Sequence, residues 1–202
     1  MSFHPKMAYD ASFHKSSREL AEAGPPFAYT PENRARLDEI VKRYPPDQRR
    51  SAVLPALYLV QQQHGYITAS GMRHVAELLE MTPADVEDIV SFYTMFYTRP
   101  LGKFVVQVCR TLSCAVRGAE RVTEELVEKL GIRPGQTDAS GAFTLLEVEC
   151  LGACDRAPVV MVNDGWHECL RPEDASKLVD DLKARGETAL SGCHLAIERV
   201  AK

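Results

Sequence analysis

Apolar positions between residues 30 and 98 return at helical spacing, and past Gly102 they change to runs and alternations that suit strands. Leu37, Ile40, Val41 and Tyr44 line one face of a first helix, with Thr30 as N-cap, Pro31 in the first turn and Pro45-Pro46 as the stop. A second helical run covers about 48–63 and ends at Gly65; Pro55 inside it predicts either a kink or a later start. Thr68 caps a third helix carrying Met72, Val75, Leu78 and Leu79. Thr82-Pro83, with Asp85 in capping-box position, opens a fourth through "VEDIVSFYTMF", and Arg99-Pro100 closes it. Residues 30–98 therefore read as a small helical bundle. Residues 1–29 show no sustained period, end in "EAGPPFAY", and read as an extension or partner-binding arm with little core.

From residue 99 the elements alternate. "KFVVQVC" is a strand ending at Cys109, "AVRGAERVTEELVEKLG" a helix closed by Gly131, and "FTLLEVEC" a strand ending at Cys150. Then come "APVVMVN", a turn at Asn163-Asp164-Gly165, a short strand from Trp166 to Leu170, and the helix "RPEDASKLVDDLKARG". A βαβ unit followed by a hairpin and a closing helix, βαβ-ββα, is the connectivity of a thioredoxin-like core. The expected fold is α/β: an extension (1–29), a helical bundle (30–98), a thioredoxin-like domain (99–186) and a tail (187–202).

Composition changes this picture little. The 202 residues are 45% hydrophobic and 26% charged, ordinary for a soluble protein. A formal charge of -4 gives no general footprint for nucleic acid or anionic membrane. No apolar run approaches the roughly 20 residues that span a bilayer, and "MSFHPKMAYDASFHKSSREL" has neither the apolar core of a secretory signal nor the acid-poor, Arg-rich composition of a transit peptide. A cytoplasmic chain without direct membrane insertion is expected.

In a reducing compartment the six cysteines point away from structural disulfides and towards thiolate chemistry. Cys109 and Cys150 stand at the ends of two strands that a βαβ crossover makes parallel, so the loops "CRTLSC" and "CLGAC" open on one sheet edge, where α/β proteins place ligands. Four thiolates at one edge suit zinc or an iron-sulfur cluster. The Cys-x4-Cys and Cys-x3-Cys spacings are wider than the usual zinc knuckle and suit a two-iron rhomb with one pair on each iron. Gly152 would let the backbone approach an inorganic sulfide. The helix after Cys114 would direct its N-terminal dipole at the anionic group, with Arg110 and Arg117 nearby in sequence.

"VCRTLSCAVRGAE" together with "VECLGACDRAPVVMVND" resembles the thioredoxin-like [2Fe-2S] ferredoxin subunit of respiratory NADH:quinone oxidoreductase, over about residues 30–185 and including "VEDIVSFYTMF". The resemblance implies that Cys109, Cys114, Cys150 and Cys154 bind one [2Fe-2S] cluster. It also implies docking on a flavoprotein subunit that carries FMN and the NADH site, beside a neighbouring iron-sulfur subunit, on the cytoplasmic face of the membrane. Equivalent subunits of NAD-linked hydrogenases and formate dehydrogenases are the nearby alternatives. The chain shows neither G-x-G-x-x-G nor a P-loop, so it offers no recognisable nucleotide site of its own and no independent catalytic site is expected.

Two rivals come from other classes: a zinc-stabilised interaction module, and a disulfide oxidoreductase, which would need the Cys-x-x-Cys that this chain lacks. Cys169 and Cys193 each stand alone, and His167 and His194 beside them have no partner at ligand spacing. A helix-turn-helix reading of 68–96 fails because "TPADVEDIV" would present three acids and no base to phosphate. Phe92, Tyr93, Phe96 and Tyr97 read as bundle core or a contact surface.

Overall fold

The computed structural model describes residues 26–190; the expectations for the N-terminal arm up to residue 25, for the tail from 191, and for Cys193 and His194 lie outside the described residues. The described chain forms two compact units that meet in sequence between Pro100 and Leu101.

In the first unit, α1 (Pro31–Val41), α2 (Val53–His64), α3 (Ala69–Leu79) and α4 (Pro83–Phe92) enclose an apolar core. Leu37, Leu57, Val60, Ile67, Val75, Leu79, Val86 and Phe96 are all buried in it. The caps form as the sequence predicts. Thr30, Thr68 and Thr82 each accept a hydrogen bond from the amide three residues on, those of Asn33, Gly71 and Asp85. Asp85 returns the bond by accepting from the Thr82 amide at 3.1 Å, completing the capping box.

Two differences have local causes. Residues Pro46–Ala52 form a 3₁₀ run and α2 begins only at Val53, which puts Pro55 in the first turn. There a missing amide costs no helical hydrogen bond, so no kink is needed. The fourth helix ends at Phe92 rather than continuing through Phe96, because Tyr93 turns extended and Gln61 captures the next segment. The Gln61 side chain donates to the Met95 carbonyl at 3.0 Å and accepts from the Tyr97 amide at 2.8 Å. Of the aromatic group, Phe96 is fully buried while Phe92 is 78% exposed. Tyr29 is buried and donates its hydroxyl proton to the Ala56 carbonyl, so the end of the expected arm does join the core.

The second unit is a four-stranded sheet in the order β2-β1-β3-β4 with helices packed on it. Its strands are β1 (Phe104–Cys109), β2 (Phe143–Val148), β3 (Val160–Val162) and β4 (Gly165–His167). β1 and β2 are parallel, β1 and β3 antiparallel, and β3 and β4 form the hairpin. The parallel pairing Phe104↔Phe143 through Cys109↔Val148 is the βαβ unit read from the sequence.

The single helix expected over 115–131 is two helices, α5 (Leu112–Val116) and α6 (Ala119–Leu130). Gly118 separates them at φ 93°, a conformation that only glycine adopts readily. The apolar side of α6, with Val122 and Leu126, lies on β1 and β2, and α7 (Pro172–Arg185) packs beside it through Ala175, Val179 and Leu182. β4 stops at His167, short of the expected Leu170, because Cys169 takes a φ of 51° and its amide leaves the hairpin for the Arg156 carbonyl. Among the described residues no helix is long and apolar enough to cross a membrane.

Candidate functional site

β1 and β2 end together, at Cys109 and Val148, so the loops that follow leave the same sheet edge. The Cys109 amide donates to Val159 (3.1 Å) and the Arg110 amide to Val148 (3.0 Å), which fixes the start of the first loop against both neighbouring strands. Cys114 then lies inside α5, not ahead of a helix, and this helix packs against the 3₁₀ turn Cys154–Arg156. The dipole read from the sequence is therefore displaced: the longer helix, α6, starts only at Ala119.

The structure brings the four cysteines together as two pairs. Cys109 and Cys114 are buried in the apolar core, 2% exposed each, whereas Cys150 and Cys154 are exposed. The Cys150 and Cys154 sulfurs are 3.8 Å apart. Cys109 and Cys114 share a hydrogen bond, and Cys154 lies close enough to both for its charge to act on them. Among the described residues no three His, Cys, Asp or Glu side chains gather at single-ion spacing.

Donors surround the sulfurs. The Gly152 amide points at Cys150 Sγ at 3.3 Å, and the Thr111 hydroxyl lies 3.2 Å from Cys109 Sγ. Burial pushes the Cys109 thiol up, but the Thr111 hydroxyl and the amides of Thr111 and Leu151 outweigh it and hold the group below the ordinary thiol range. Cys114 goes the other way, pushed up to about 11 by burial and by the neighbouring Cys109 despite the Val159 amide. Cys154 is raised chiefly by sharing a proton with Cys150, against a lowering contribution from the Ser113 hydroxyl. Donors thus favour the thiolate at Cys109, while burial at Cys114 and the neighbouring thiol at Cys154 oppose it.

Such a donor set suits a [2Fe-2S] group. Four sulfurs in two pairs, amides and hydroxyls aimed at them, and an apolar inner wall are what a cluster held by thiolates requires. Gly152 adds a backbone at φ 82°, and a Cβ there would meet no protein atom within 4 Å, so its surroundings are open. Arg110 is held 3.9 Å from Glu149, both exposed, and Arg117 is exposed at the end of α5.

Cys169 is exposed, with its amide bracing the Cys154–Arg156 turn through the Arg156 carbonyl at 2.7 Å. His167 has a buried Nε2 without a hydrogen-bond partner, and burial lowers its pKa. Thr111, Ser113 and the amides of Leu151 and Val159 are not singled out by sequence reasoning. The two hydroxyls could have been found as the second and fourth residues after Cys109, whereas the backbone donors leave no mark in residue type.

Known proteins resemble this chain in sequence and in fold. A subunit of the NADH-quinone oxidoreductase of Mycobacterium bovis, and the protein of the same name from Mycobacterium tuberculosis, are each 44% identical over 165 residues, 80% of this chain and 65% of theirs. The chain thus spans just under two thirds of the length of these mycobacterial relatives. The protein of the same name from Rickettsia bellii is 40% identical over 158 residues, 78% of this chain and 95% of that one. An NAD+-reducing [NiFe]-hydrogenase in its H2-reduced state shares the fold, with a TM-score of 0.57 at 20% identity over 66% of this chain and 22% of that one. The family pattern described as thioredoxin-like [2Fe-2S] ferredoxin matches residues 37–183, a span that takes in both cysteine loops and most of the helices before them. With a sheet edge that gathers two pairs of thiols among amide donors, and with that match across most of its length, this chain belongs to the thioredoxin-like [2Fe-2S] ferredoxin family.

Proposed function

We propose that the chain is the electron-carrying [2Fe-2S] subunit of an NADH:quinone oxidoreductase. In this reading Cys109 and Cys114 hold one iron and Cys150 and Cys154 the other. The observation that carries it is the meeting of the two cysteine loops at the end of the parallel β1–β2 pair, with amides and hydroxyls turned to the sulfurs. The mycobacterial and rickettsial relatives, named as subunits of NADH-quinone oxidoreductase, support the choice of complex.

The chemistry supplied by the bound group is the uptake and release of one electron at a time. The chain's own residues do the rest. Cys109 and Cys114 sit on the dry side, where Val159, Ala119 and Val122 of the core exclude water. Cys150 and Cys154 face outward, giving electrons a short path to a partner. Leu112 and Val116, four residues apart on α5, are 80% and 78% exposed, an apolar rim beside the outward pair that suits burial against another chain. The partner is a flavoprotein subunit carrying FMN and the NADH site, with a second iron-sulfur subunit alongside, on the cytoplasmic side of the membrane. The modular division into an arm (1–29), bundle (30–98), cluster domain (99–186) and tail (187–202) belongs to the same proposal, with the end of the arm at Phe27 and Tyr29 packed into the bundle.

Two variants test the ligand set. Cys114→Ser is expected to lose or distort the cluster, and Cys169→Ser to leave it unchanged. Identical reduced-state electron-spin spectra from both would overturn the assignment. Co-purification of the tagged chain addresses the host complex: an FMN-containing chain should accompany it, and a preparation free of flavin would count against the partner.

A further inference from the structure

Thr111 occupies the N-cap position of α5 but does not cap it. The other three threonines that begin helices, Thr30, Thr68 and Thr82, all accept from the amide three residues on. Thr111 breaks that habit: its hydroxyl lies 3.2 Å from Cys109 Sγ instead. A side chain well able to satisfy a helix amide is turned to a sulfur, at the cost of leaving that amide without its usual partner.

In a free thiol either atom of this pair could donate. A sulfur that ligates iron carries no proton, so with the site loaded the hydroxyl is the only possible donor. One-electron reduction adds a negative charge and no proton, and part of that charge falls on the ligating sulfurs. A donor aimed at one of those sulfurs therefore stabilises the reduced state more than the oxidised one.

We propose that Thr111 is a potential-setting residue: its hydroxyl donates to the Cys109 thiolate and raises the reduction potential of the site. This rests on the cluster assignment above. On the same short helix Cys114 is buried in the core while Leu112 and Val116 are exposed.

Thr111→Val keeps the shape and removes the donor, and Thr111→Ser keeps the donor. Each full chain is loaded, checked for iron and sulfide, and titrated with dithionite as the electron source while the reduced-state spin signal is followed. Thr111→Val should move the midpoint to lower potential, by about a fivefold change in the reduction equilibrium, where tenfold corresponds to about 59 mV for one electron. Thr111→Ser should stay at the wild-type midpoint. Equal midpoints for wild type and Thr111→Val, both fully loaded, would overturn the proposal while leaving the cluster assignment standing. A wild-type chain with no labile sulfide would instead overturn the assignment itself. Should Thr111→Val fail to load, pulsed electron-nuclear resonance decides with wild type and Thr111→Ser after brief transfer to D2O. A fast-exchanging proton coupled to the spin in both supports the donor, and its absence from both refutes it.

Discussion

Gly102 gives the sheet its sharpest steric test. It is buried just before β1, and a Cβ built on it would lie 2.7, 2.8 and 2.9 Å from the carbonyl carbon, nitrogen and Cα of Phe143, the first residue of β2. Those neighbours are backbone and cannot rotate away. Relief requires the two segments to part, yet the Gly102 amide is bound to Thr144 Oγ1 at 2.7 Å, the Lys103 amide to Gly141 at 3.0 Å and the Phe104 amide to Ala142 at 2.8 Å. For Gly102→Ala, overpacking costs about 1–3 kcal/mol, and weakening the buried Gly102–Thr144 bond adds about 1 kcal/mol. Reduced freedom of the unfolded chain returns about 0.5 kcal/mol. The net loss is about 1.5–3.5 kcal/mol, or roughly 6–28 °C in Tm for a unit of this size. Trp166, the only tryptophan of the chain, lies on β4 of the same sheet, so its fluorescence during guanidinium unfolding reports the unit directly. Gly118→Ala is the control: a Cβ there meets nothing within 4 Å, so only its positive φ is strained, at about 1 kcal/mol. If Gly102→Ala stays within about 0.5 kcal/mol of wild type, or costs less than Gly118→Ala, the close approach of β1 and β2 is misread.

Other consequences follow from the core and from buried groups. Leu57 is fully buried among the helices, so Leu57→Ala should cost about 2–5 kcal/mol, read as a lower guanidinium midpoint by circular dichroism. His167 has its pKa lowered by burial, so the unfolded chain takes up its proton first as pH falls. Its contribution to stability is therefore lost as pH drops below the unfolded value of about 6.5, and levels off below the lower folded value. His167→Phe should flatten the wild-type decline in stability across that window; unchanged pH profiles would contradict it. Thr82→Ala removes one half of the capping box and should cost about 1 kcal/mol, measured in the same unfolding experiment.

Much of this was legible in the chain. Thr30, Thr68 and Thr82 announced their helices because a capping hydroxyl acts within four residues of itself, and the apolar runs before Cys109 and Cys150 announced the parallel strands. The convergence of the four cysteines needed only that pairing. What the sequence hid was set by contacts distant along the chain. Gln61 ends α4 by holding Met95 and Tyr97, some 35 residues away, and local propensity through "SFYTMF" gives no sign of it. The break at Gly118 was hidden for another reason: "AVRGAERV" has good helical periodicity on both sides, and one glycine inside such a run is often tolerated. Thr111 carried no signal of its own in the sequence, and only its 3.2 Å approach to Cys109 marks it out.

The most direct test of the account is the metal content of the wild-type chain purified without oxygen. Iron, zinc and acid-labile sulfide are counted per chain, and the reduced protein is examined by electron-spin resonance. About two irons and two sulfides, with one unpaired spin after reduction, are the expected result for a [2Fe-2S] group on Cys109, Cys114, Cys150 and Cys154. A colourless protein with one zinc and no labile sulfide would contradict it.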